Sequence, residues 1–168
     1  MDEKNTLGFI KDTQQLLTTI YGDLAQPAVK KVGIALESVL EFSTSIFLPL
    51  KFQNEKWKLN FEKRLLDYKE KLNQIPEEDI IEVNPQIGVP IIEKLSYTTN
   101  DNIAEMFLNL LIKGSSIKTA NIAHPSFISI IERISSDEAK IINYLKHKDY
   151  IPYISYKLYQ NGSSSYNM

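Results

Sequence analysis

Histidine is the side chain from which proton transfer or metal ligation is most readily built near neutral pH, and this chain has two, His124 and His147. They cannot form HExxH, and neither stands at a carboxylate spacing that suggests a zinc site. Cysteine is absent, which removes disulfides, thiolate nucleophiles, iron–sulfur clusters and thiolate zinc sites together. The six glycines, at positions 8, 22, 33, 88, 114 and 162, leave no GxGxxG and no P-loop. A Ser-His-Asp triad leaves no spacing signature, but there is no GxSxG elbow and nothing singles out one serine. The only arginines are Arg64 and Arg133, and neither is followed by histidine within ten residues, so an Arg-then-His ribonuclease arrangement fails on inspection. The expectation is a protein that is not an enzyme and that uses no cofactor, metal or small-molecule substrate.

Four residues remain as candidate interaction or structural sites. His124, directly before Pro125, can hold a helix start through a hydrogen bond, with a ligand or proton-transfer role as the alternative. Asn109 interrupts a very apolar helical segment, on an exposed polar face or as a binding contact, and Glu105 lies in the same segment. Trp57 heads an aromatic and aliphatic seam. Between Lys51 and Lys71 stand seven basic and four acidic residues, and such interleaved signs describe a solvated helix face rather than a nucleic-acid or lipid stripe.

These residues are carried by a chain of 168 residues, enough for one domain or one with a small appendage, and 43% hydrophobic residues can furnish its core. Nineteen basic against 21 acidic residues give a net charge of -2, so no global field draws the protein to nucleic acid or anionic lipid. The first residues show no apolar signal segment, which predicts a cytoplasmic protein. The longest apolar stretch, Val32 to Leu50, is interrupted by Glu37 and Glu41, each costing about 2.5 to 3.5 kcal/mol near a bilayer centre, so it does not span a membrane although it could lie on one.

The elements that must position the candidates are helical. The spacing predicts helices over Thr6 to Tyr21 and over Pro27 to Leu48, the second with Val32, Leu36, Val39 and Ile46 on one face. Trp57, Phe61, Leu65, Tyr68, Leu72 and Ile75 form one continuous helical seam, with Phe52, Leu59 and Leu66 as a second stripe. Burial of such side chains is worth about 1.5 to 3 kcal/mol each, so the seam needs a partner, and packing within the chain is preferred to a coiled coil. Three prolines and an acidic run make residues 75–90 a connector with little regular structure. After it the pattern predicts helices from about Val89 to Tyr97, from Asn102 to Lys113 behind a cap among Thr99, Asn100 and Asp101, from His124-Pro125 to Ile134, and from the cap at Ser135-Ser136-Asp137-Glu138 onward. The helix holding Phe107 and Leu111 should be central, with Phe127 and Ile131 buried against it. The alternation from Tyr150 to Tyr159 and Asn161-Gly162 predicts a strand or hairpin. The fold class is therefore all-α, a multi-helix bundle with a short C-terminal β-strand or hairpin. Its parts are an N-terminal helical segment over 1–74, the connector over 75–90, a compact helical core over 91–147, and a hairpin over 148–168 that could open a further unit.

Five ordered phrases then carry a resemblance: Asn73 to Glu78, Ile87-Gly88-Val89-Pro90 leading to Leu95-Ser96-Tyr97, Glu105 to Leu111, Ala123-His124-Pro125-Ser126-Phe127, and Ser136-Asp137-Glu138-Ala139. From about Tyr21 onward the chain resembles the abortive-infection alpha family of bacterial proteins. That resemblance implies a part in defence against phage and supplies no catalytic residues. The expected activity is that of an interaction or effector protein acting on a protein partner, on itself by self-association, or on a membrane surface. The alternative is nucleic-acid binding through a winged-helix-like C-terminal unit, which lacks a basic recognition helix to support it.

Overall fold

The computed structural model describes residues 27–46, 54–146, 148–150 and 153–155. Among them are six α-helices, here α1 (Pro27–Ile46), α2 (Glu55–Asn73), α3 (Pro85–Tyr97), α4 (Asp101–Gly114), α5 (Ser126–Arg133) and α6 (Ser136–Leu145), with short 3-10 turns at Glu77–Asp79 and Ala120–Ile122. The expected helix over Thr6 to Tyr21, together with Phe52 and His147, lies outside the described residues.

Helix α1 begins at Pro27, where the fixed φ of proline suits a first turn. It buries Val32, Ala35, Leu36, Val39 and Leu40, a stripe that alternates steps of three and one, while Glu37 and Glu41 face solvent. This face is filled by α2 and α3. The side chain of Asn54 caps α2 by accepting from the amides of Lys56 and Trp57. The seam of α2 turns inward at Phe61, Leu65, Tyr68 and Leu72, so it packs within the chain, while Leu59 and Leu66 of the second stripe face solvent.

The connector is more structured than its prolines suggest. Lys31 Nζ donates to the carbonyls of Asn73 and Ile75 at the end of α2. The amides of Ile81 and Val83 donate to Ser115 O (3.0 Å) and Ala35 O (2.9 Å), and Ile80 forms an antiparallel bridge with Ser116. Helix α3 also starts four residues earlier than Val89. Asn84 accepts from the Gln86 amide, Pro85 takes the first helical position, and the helix continues through Pro90. Proline there removes one i to i−4 bond, but Ile87, Ile91, Ile92 and Leu95 are all buried on one side of α3, and that packing outweighs a missing hydrogen bond.

Helix α4 is central, in contact with α2, α3, α5 and α6. Its cap is Asn100, whose side chain accepts from the Ile103 amide at 3.1 Å. Helix α6 opens on a capping box in which Ser135 Oγ accepts from the Glu138 amide (3.2 Å) and Glu138 Oε2 from the Ser135 amide (2.7 Å). Phe107, Leu111 and Ile131 are buried as their spacing predicts, but Phe127 is 45% exposed. Only Ile128 and Ile131 of α5 are buried, because an eight-residue helix at the edge of the bundle can turn only a narrow stripe inward. No strand occurs among the described residues, so the expected C-terminal β-strand is not shown: Tyr153 to Ser155 belong to none, and the rest of that segment lies outside the described residues.

Candidate functional site: an apolar cleft on the central helix

Helix α4 is apolar on two sides, which is why it has two sets of neighbours. Ala104, Phe107, Leu108 and Leu111 sink into the bundle, while Asn102, Met106, Asn109, Leu110 and Lys113 follow the helical period along a second face. That second face meets Phe127, Ile130, Ile131 and Ile134 from α5 and its C-cap, and Ala139, Ile142, Asn143 and Lys146 from α6 and its C-cap. The three helices do not close on one another. They leave a cleft of about 830 Å³, whose apolar walls include Phe127, Ile130 and Ile142, exposed by 45%, 51% and 45%. A cleft of that size falls within the roughly 300 to 1,000 Å³ of ligand sites.

The starts of α4 and α6 are joined, since Asn100 Nδ2 donates to Ser136 Oγ at 2.9 Å. Lys113 and Lys146 sit at the far ends of the same two helices, and both line the cleft. The acidic residue on this face, Glu105, is already engaged: Lys71 of α2 lies 3.6 Å from its carboxylate and also donates to Asn109 Oδ1 at 3.3 Å. The two lysines have no ion-pair partner among the described residues. The cleft is thus an apolar trough with amides along both edges and two lysines at the ends of α4 and α6 that have no ion-pair partner among the described residues.

The family model for abortive infection alpha matches residues 56–168, which takes in every residue lining this cleft. The chain belongs to the abortive infection alpha family. Membership suggests a role in phage defence. No curated protein and no solved structure matches the chain. No helix among the described residues of this abortive infection alpha protein is long and apolar enough to cross a membrane.

Of the four sequence candidates, the structure brings Glu105 and Asn109 together on the cleft edge and places the other two elsewhere. His124 is exposed at the start of α5, where its Nδ1 accepts from the Ser126 amide at 3.1 Å and lies 2.7 Å from Ser126 Oγ. This is the hydrogen-bonded helix start expected of it. Trp57 is half-buried near the start of α2, with its ring 6.2 Å from that of Tyr97 and tilted by 51°. A second polar cluster ties α2 to α4. The Arg64 side chain, only 4% exposed, donates to Asp101 Oδ1 at 2.7 Å and lies 3.6 Å from Asp67. Arg64 above all, and then Lys63, holds the Asp101 carboxyl below its ordinary pKa. A carboxylate kept ionised in that way braces two helices and is a poor proton acceptor.

Residues of the cleft that the sequence did not offer as candidate sites are Ile130, Ile142, Lys113 and Lys146. A signal existed for the first: α5 and its C-cap have Phe127, Ile128, Ile130, Ile131 and Ile134 within eight positions, more apolar residues than one stripe can bury. The lysines gave none, because their meeting depends on how α4 and α6 cross.

Proposed function

We propose that this protein is a non-enzymatic effector of abortive infection that works by docking a protein partner in the cleft between α4, α5 and α6. The observation that carries this reading is the row of half-exposed Phe127, Ile130 and Ile142 around a trough whose lining also includes the buried Leu110, Ile131 and Ala139. Leaving such side chains half in water forgoes part of the roughly 1.5 to 3 kcal/mol that full burial of each provides, and a partner would recover it. The edge amides would then set orientation. Family membership supplies the biological setting.

The reading is tested with Ile130→Glu, which places a charge on the exposed wall without entering the core. Cells carrying the wild-type protein and the variant are challenged with phage, and surviving host and released progeny are scored. Protection is expected to be lost in the variant while its circular dichroism and melting temperature stay unchanged. Full protection by a folded Ile130→Glu protein overturns docking at this cleft.

A further inference from the structure

The cleft has a polarity of its own, and we infer that its occupant is an amphipathic helix with an acidic first turn, lying antiparallel to α4. This rests on the docking reading above and specifies the partner. The trough runs along α4, whose 14 residues span about 21 Å at roughly 1.5 Å per residue. It is bounded by two further helices, α5 and α6, so it offers the place of a fourth helix packed at ordinary interaxial distance.

The two edges distinguish a helix from an acyl chain. Asn102 and Asn109 stand along the α4 edge and Asn143 along the α6 edge, flanking the apolar floor made by Met106 and Leu110. A lipid tail has its polar group at one end and would lay methylene against these amides, which disfavours it. An amphipathic helix has polar residues on both sides of its apolar stripe and meets both edges at once.

Charge then fixes direction and composition. Helix α4 ends beside Lys113 and α6 beside Lys146, neither of which has an ion-pair partner among the described residues, whereas Glu105 is held by Lys71. The carbonyl ends of α4 and α6 carry the negative pole of their dipoles. A docked helix that brings its N-terminus to this end presents its positive pole to theirs, and carboxylates in its first turn reach the two lysines.

The test uses the full-length chain and two fluorescein-labelled synthetic 18-residue peptides of identical composition. Each has leucine at i, i+3, i+4 and i+7 spacing and neutral polar residues elsewhere, with three glutamates in the first turn of one and in the last turn of the other. Fluorescence anisotropy at low ionic strength is expected to show the first-turn peptide binding about tenfold more tightly, with two rim charges at work. The double variant Lys113→Glu, Lys146→Glu, whose substituted side chains are exposed, should reverse that preference. Ile130→Glu should abolish binding of both peptides. Equal binding of the two isomers, or an unaltered preference in the charge-reversed variant, overturns the inference. So does an absence of peptide binding alongside Ile130-dependent binding to phosphatidylglycerol vesicles. If Ile130→Glu loses phage protection while the isomers bind alike, docking at the cleft stands and the acidic helix falls. If Ile130→Glu protects in full, the docking reading itself falls.

Discussion

Gly88 sits where α3 crosses α1, and replacing it with alanine should destabilise the fold although alanine is the better helix former. A methyl group at residue 88 would lie 2.4 Å from Val39 Cγ2, 3.0 Å from Cγ1 and 3.2 Å from Cβ, against 3.4 to 4 Å for ordinary contact. Val39 is fully buried and, being β-branched in a helix, has one strongly preferred rotamer. Forcing it off that rotamer costs about 0.5 to 1.5 kcal/mol, and overpacking two helices costs about 1 to 3 kcal/mol. The propensity gain of alanine over glycine returns about 1 kcal/mol. The net expectation is a loss of about 1.5 kcal/mol, or about 3 to 6 °C in melting temperature for a chain of this size. Val39→Ala alone removes the obstructing methyls and should cost about 2 to 3 kcal/mol through lost burial and a cavity. On that background, of the three nearest atoms only the residue 39 Cβ remains, at 3.2 Å, so Gly88→Ala should change sign and stabilise by about 0.5 to 1 kcal/mol. Urea unfolding followed by circular dichroism closes the cycle, with a coupling of about 2 kcal/mol at constant m. Stabilisation by Gly88→Ala in the wild-type background, or additivity within about 0.5 kcal/mol, refutes steric close approach as the reason for glycine at this position.

Ser135→Ala breaks the capping box of α6 and should cost about 1 kcal/mol, seen as faster amide exchange across residues 136–145; unchanged exchange there would show that tertiary contacts alone hold α6. Acid should destabilise the fold. The pKa of Asp101 is lowered by hydrogen bonds from Arg64 and Lys63, that of Glu82 by Ser38, whose amide donates to its Oε1 at 3.1 Å, and that of Glu138 by bonds at Ser135, backbone first. These carboxylates bind fewer protons folded than unfolded, so their contribution is complete above the ordinary carboxylate range near about pH 4 and is lost as pH falls through the lower folded values. Urea midpoints should be flat from about pH 7 to 5 and decline below about 4, and a midpoint that holds steady to pH 2.5 would contradict these assignments.

The sequence by itself determined the family, the helical class, and most of the elements with their caps. These are local matters. The stripe of α1, the seam of α2, a cap among Thr99, Asn100 and Asp101, and the Ser135 capping box depend on residues within one or two turns of each other, so their spacing is legible in one dimension. Where local signals pointed the wrong way, tertiary contacts overrode them. Three prolines in residues 75–90 read as a connector, yet hydrogen bonds from Ile81 and Val83 to distant carbonyls and the burial of Ile87 and Ile91 carry α3 through Pro90. Apolar periodicity likewise assigned Phe127 to the core, because a sequence reports that a residue is hydrophobic and cannot report whether enough neighbours exist to cover it. Glu105 and Asn109 were visible as candidates in an apolar segment, but the cleft edge they share, Ile130 and Ile142 on its walls, and the presence of both Lys113 and Lys146 in its lining arise only from the crossing of three helices. The helix periodicities were written in the chain; the gap between the helices was decided by how α4, having two apolar faces, met neighbours too short to cover the second.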